Sequence, residues 1–351
     1  MSGVKSHAKR PLNLRASQCW LARLDDHVNA LAWSPDGTSL AAASVSGPIT
    51  IFSGTTGQVR HTLAGHDFGT TEVAWNAAGT ILASAGQDGK IRLWDAESGQ
   101  ERSALAGGAA WVEHLAWSPQ GELLASAAGR TLRLWNGHDG QLLQEYPDHH
   151  STISAVQWQP GTQVLTSAAY GGITFWQPDR NIPLRSLEWK GSILVIAWSP
   201  DGKYIATGDQ DSTVHFWMVR DGRDLQMYGY PTKVRELSWN STSRYLATGG
   251  SPVVTVWDCA GKGPEGSRPI ELKGHAAFVS ALAFQHRGLV IASGCADGKL
   301  MFWHITTPKR PLFQVSMEAG ISQIAWSRDD QLLAIGTEAG LVTVYRTPQA
   351  R

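Results

Sequence analysis

The chain has 351 residues with 30 basic and 30 acidic side chains, a formal net charge of zero, so no global field draws it to nucleic acid or to an anionic membrane surface. At 42% hydrophobic and 17% charged it is too apolar for a disordered chain and calls for a large buried core. Three scattered cysteines, Cys19, Cys259 and Cys295, argue against a disulfide or zinc framework; with no secretory leader and no apolar run of bilayer length, the expectation is a soluble, cytoplasmic protein.

Residues 1–17 read as a flexible basic tail carrying Lys5, Lys9, Arg10 and Arg15, and Gln18 to Leu24 as a first strand. From there one pattern recurs. A short apolar run ends in an aromatic residue at Trp33, Trp75, Trp117, Trp158, Trp198, Trp239, Phe284 and Trp326, with gaps of 42, 42, 41, 40, 41, 45 and 42 residues. About nineteen residues after each stands a second aromatic: Phe52, Trp94, Trp135, Trp176, Trp217, Trp257, Trp303 and Tyr345. These pairs define units one to eight. Within a unit the reading is all β. Thr70 to Trp75, Ile81 to Ala85, Ile91 to Trp94 and Gln100 to Leu105 are strands, separated by turns at Asn76 to Gly79, Gln87 to Lys90 and Glu97 to Gly99. Turn chemistry repeats in Ser34-Pro35-Asp36-Gly37, Ser118-Pro119-Gln120-Gly121 and Ser199-Pro200-Asp201-Gly202, where proline presets φ and glycine accepts a positive one.

Length alone suggests two or three domains, but units of about forty residues cannot bury both faces of their own sheet and must stack. The expected fold is a single eight-bladed β-propeller of four-stranded blades over residues 18–346, with a C-terminal tail at 347–351. After Tyr345 too little chain remains for a last fourth strand, so residues 18–24 are expected to supply it and close the ring.

With this register established, the chain resembles the WD-repeat (WD40) β-propeller family over nearly its whole length. The carriers are Gly65-His66, Ser84, Asp88 and Trp94-Asp95, and again Gly274-His275, Ser293, Asp297 and Trp303, both sets at one spacing. The resemblance implies a buried hydrogen-bonded network in each set, from Asp to His to Ser to the indole N–H. Only units two and seven carry the full tetrad. In unit five Trp189 stands where the His belongs, unit four keeps His149 without the Asp, and in unit three Gly108 replaces the His; units one, six and eight lack both.

Ser, His and Asp at fixed spacing also suggest a hydrolase triad, yet two copies tied to a repeat Trp point to structure. Gly261 to Gly266 matches Gly-x-Gly-x-x-Gly but follows no βα context. Gly294 to Lys299 is one residue short of a phosphate loop. His138, His149 and His150 match no standard metal spacing, and Asn240-Ser241-Thr242 is a glycosylation sequon in form only. No catalytic residue, cofactor or metal site is expected, and the protein is read as not an enzyme.

Thirteen of the sixteen tryptophans fill the two aromatic series. Of the three others, Trp20 falls in the closing strand, and Trp111 and Trp189 fall in connections between units, as do Phe68, Tyr230 and Phe278. Such aromatics on one rim suit a binding surface, flanked by Glu113, Lys233 and Arg235, with His27 and Asn29 at corresponding places in unit one. The function expected is a non-catalytic scaffold binding a protein or peptide through this face, as a monomer or as a subunit of a larger complex. The insertion at 260–269 is a candidate second contact surface. The alternative is a small-ligand, metal or catalytic site in the central channel, near Glu72, His114 and Glu236.

Overall fold

The computed structural model describes residues 16–108 and 111–347. The tails assigned from sequence, 1–17 and 347–351, therefore lie almost wholly outside the described residues. Among the described residues, thirty strands and no helix form a ring of antiparallel sheets. Among the described residues no helix is long and apolar enough to cross a membrane.

The count of eight blades is corrected. Hydrogen bonding makes seven sheets, six of four strands and one of six, so by its sheets the propeller has seven blades. The reason lies between units four and five, which share the six-stranded sheet through the long elements Leu165–Trp176 and Arg185–Trp198. Tyr170 pairs with Ser192, so the ladder continues across a connection that elsewhere is a loop. Within Leu165–Trp176 the indole of Trp176 reaches the Ser167 hydroxyl at 2.8 Å, a contact open only to a segment that doubles back on itself. It does so at Gly171 and Gly172, with φ of 103° and 136°. A side chain at Gly172 would meet the Leu187 carbonyl at 2.0 Å, so the tight return requires glycine there.

The last sheet takes its outer strand from the start of the chain. Ser17–Arg23 runs antiparallel to Leu341–Arg346, with Trp20 opposite Val344. The Trp20 indole donates to the Gly54 carbonyl at 2.9 Å, and its ring lies 5.3 Å from that of Phe52. Trp20 thus packs with Leu40 and Phe52 of unit one as well as with Val342 and Val344.

Two sets of side chains stitch unit to unit. The first is the leading aromatic series. Trp33, Trp75, Trp117, Trp158, Trp239 and Trp326 each donate the indole N–H to a carbonyl in the first strand of the preceding unit, at 2.9–3.1 Å. Trp198 instead reaches the Thr166 hydroxyl at 3.0 Å. The second set comes from a β-bulge near the start of the first strand, present in every unit but the sixth. An extra residue leaves the ladder there and its side chain is re-aimed. Asn29, Thr71, Ser154, Ser280 and Ser322 use this freedom to donate to a carbonyl of the following unit. Apolar clusters fill the space between units; one joins Leu63 and Ile49 of unit one to Leu82 and Trp94 of unit two.

Candidate functional site

The residues of the two full tetrads come together. In unit two the Trp94 indole donates to Ser84 Oγ at 2.8 Å; Ser84 lies 2.8 Å from His66 Nε2, and His66 Nδ1 lies 2.9 Å from Asp88 Oδ1. One tautomer satisfies the chain: Ser84 donates to Nε2, and Nδ1–H donates to Asp88. In unit seven Trp303 and His275 meet Ser293 at 2.9 and 2.7 Å, but His275 Nδ1 faces the Cys295 thiol at 3.0 Å, and the thiol in turn donates to Asp297. Asp297 is thus tied in through sulfur, a relay the repeat motif did not announce. Burial pushes the His66 imidazole below its ordinary range against the pull of Asp88, and pushes His275 down to about 4. Ser84 and Ser293 are fully buried, and each hydroxyl is occupied by an indole, so neither is open to a substrate carbonyl.

Units four to six depart from the tetrad in three ways. His149 Nε2 meets Ser167 at 2.7 Å, and Ser167 also accepts from Trp176, which engages this imidazole within its own unit. Trp189 is half-buried and lies 3.9 Å from the His215 ring. In unit six Tyr230 occupies the histidine position. Its hydroxyl lies 2.9 Å from Thr248 Oγ1 and accepts from the Trp257 indole at 2.9 Å, and burial pushes the phenol up to about 12. Sequence reading placed Tyr230 on the open rim because the motif names only histidine; its offset of nine residues before Trp239, the same as His66 before Trp75, was the available signal.

The remaining expected site residues sort by the bulge. Asn29 is engaged in the ring, donating to the Thr70 carbonyl, and His27 is half-buried beside Asp26. In three units the residue four before the leading aromatic, the place of the bulge elsewhere, makes no such bridge: Glu113, Leu194 and, in unit six where there is no bulge, Arg235. In unit six the first strand is only Leu237–Trp239, so Arg235 lies outside the ladder altogether. Glu113, Lys233 and Arg235 are exposed, and the ion pairs of the described residues do not include them. Of the expected aromatics, Trp111 is 53% exposed, Phe278 48% and Phe68 83%. Phe68 also holds a φ of 66°, a left-handed conformation uncommon outside glycine.

Two features escaped the sequence reading. Tyr170 and Tyr228 are more exposed than Trp111 and Phe278. Tyr170 also borders a cavity of about 710 Å³ over unit four, with His149, His150, Trp176, Trp189 and Lys190. The turn Gly171-Gly172, which lines it too, contributes no side chain to fill the space. In the channel, Glu72 accepts from the Leu115 amide at 2.8 Å, and Glu236 accepts from the Gly250 amide at 3.3 Å. Burial pushes the Glu72 carboxyl up to about 7 and the His114 imidazole down to about 4. No cluster of three or more metal-ligating side chains occurs among the described residues.

The family model described as WD domain, G-beta repeat matches residues 57–95, 99–136, 181–218, 223–258 and 266–304, more than half of the chain. The chain belongs to the WD-repeat family. A second model, the WD40 domain of anaphase-promoting complex subunit 4, matches residues 13–68 of this WD-repeat propeller. Among solved structures, the crystal structure of the computationally designed protein Ika8 superposes with a TM-score of 0.79 at 24% identity, covering 92% of this chain and 97% of that one. That likeness concerns the fold. Membership supports, in general terms, a role as a protein-interaction scaffold.

Proposed function

We propose that this WD-repeat propeller is a non-catalytic scaffold that docks a protein or peptide segment across the channel mouth. The contact residues are Trp111 and Glu113 of unit three, Lys233 and Arg235 of unit six, Phe278 of unit seven and Phe68. One observation carries this reading. At the bulge position five units use a hydroxyl or amide to fasten the ring, whereas Glu113 and Arg235 leave an exposed charge that the fold does not use. Exposed aromatics beside unpaired charges supply anchoring area and orientation to a partner. The family matched at residues 13–68 is named for a subunit of a complex, which accords with a docking role.

The test is cross-linking through Lys233 in extract of the native cell, read by mass spectrometry, for the native chain and for a Trp111→Ala/Phe278→Ala variant. The expected result is loss of the cross-linked partners with a melting temperature within about 2 °C of the native value, as for surface substitutions. Retention of every partner by the variant contradicts the proposal, and so does unfolding of the variant.

A further inference from the structure

Beneath the rim, the channel contains a cavity of about 250 Å³ walled by units two to six, with Glu72, His114, Gln157, Leu194 and Arg235 among its lining. We infer that this cavity is a binding site for a carboxylate group, held between the Arg235 guanidinium and the His114–Glu72 wall. The inference goes beyond docking on the rim and does not rest on it.

The argument starts from which polar groups the fold has already used. Ser154 donates to the Ile193 carbonyl at 2.6 Å, and Gln157 Nε2 donates to the Ile196 carbonyl at 2.9 Å. One oxygen of Glu72 takes the Leu115 amide. The residue just after the bulge reads Ala30, Glu72, His114, Ala155, Val195, Glu236, Ala281 and Gln323 around the ring. Of its four polar members, Glu72, Glu236 and Gln323 are hydrogen-bonded to backbone. His114 forms no hydrogen bond with the described residues. Arg235 is likewise unpaired at the mouth. Three recognition groups therefore converge on the cavity unspent: a guanidinium, an imidazole and the second oxygen of a buried carboxyl.

Their chemistry selects the guest. The imidazole, held neutral by burial, offers one donor and one acceptor. The guanidinium offers a fork of N–H donors that fits a carboxylate at two points. Glu72, raised by burial, can keep a proton and share it with a singly charged acid. A dianion such as sulfate brings a second negative charge that the single Arg235 cation does not offset and has no alkyl stem for the apolar wall, and a cation would face Arg235. Val156, Leu194, Val195 and Ile196 complete the wall and accept a short alkyl stem. The volume lies below the roughly 300–1,000 Å³ of sites for drug-sized ligands, so the guest is a small acid or a single acidic side chain of a docked segment.

The test is a TROSY NMR titration of the full chain at pH 6.5, following the amides of Leu115 and Leu194. Four probes are added separately: sodium propionate, propionamide, sodium sulfate, and acetyl-Gly-Ser-Glu-Ser-Gly-amide, whose only carboxylate is a side chain. A saturable shift with propionate or the peptide, absent with propionamide and sulfate, is expected. Affinity should fall about tenfold or more in Arg235→Gln, the loss of a charge-assisted pair, with the indole signals of Trp75 and Trp303 unmoved. Tighter binding of the peptide assigns the carboxylate to a docked segment, and tighter binding of propionate assigns it to a free acid. The inference is overturned if neither carboxylate shifts these amides. It is overturned equally if propionamide or sulfate binds as well, or if Arg235→Gln binds unchanged.

Discussion

The Trp33 indole donates to the Ala325 carbonyl at 2.9 Å, joining residues 292 positions apart. The same bond recurs around the ring between neighbouring units, and here it joins the first unit to the last. Ser17–Arg23 reinforces the seam by completing the last sheet.

The closure is expected to carry much of the stability. Trp20→Ala removes a buried ring that packs on both sides of the seam and should cost ~3–5 kcal/mol. Truncation of residues 1–24 should lower the melting temperature further by exposing the edge of Leu341–Arg346. Calorimetry on both variants checks this, and an unchanged melt for the truncation would contradict it.

Tyr230→Phe deletes one oxygen and leaves the Trp257 indole and the Thr248 hydroxyl without their shared partner. Stranding buried polar groups costs ~1–3 kcal/mol. Urea unfolding should show that loss without any change in partner capture. A variant as stable as the native chain would return Tyr230 to the docking face.

Asp209 is fully buried in unit five. Burial, reinforced by Asp211, raises its carboxyl to about 7 against the Thr207 and Thr213 hydroxyls, and His215 Nε2 lies 3.8 Å away. The folded chain therefore holds a proton that the unfolded chain releases near 3.8. This contribution to stability is whole below about pH 4 and is lost as pH rises to about 7. Asp209→Asn should match the native chain near pH 4 and exceed it by ~2–4 kcal/mol at pH 8. Denaturant titrations at both values decide; a gap independent of pH contradicts the assignment.

How much of this was legible in the sequence depends on which physical signal each residue carries. The Trp33-to-Trp326 and Phe52-to-Tyr345 series could be read because each ring packs at a fixed place in its unit, and that requirement imposes a period. The sheet count could not be read in the same way. Whether units four and five share a sheet depends on the backbone pairing of Tyr170 with Ser192, which leaves no periodic trace. Tyr230 was hidden because a phenol can replace an imidazole as the partner of an indole and a hydroxyl, so the network persists where its motif is absent. Glu113 and Arg235 were visible as charges, but only the bulge shows that their equivalents, Ser154 and Ser322 among them, fasten the ring.

That contrast is the centre of the account, and equilibrium unfolding of four single variants tests it most directly. Ser154→Ala and Ser322→Ala each break a bridge between units and should lose ~1 kcal/mol. Glu113→Ala and Arg235→Ala, at the equivalent positions, should stay within ~0.5 kcal/mol of the native chain. If Glu113→Ala and Arg235→Ala destabilise the ring as much as the serine variants do, these charges serve the fold, and the case for the channel mouth as a docking surface fails.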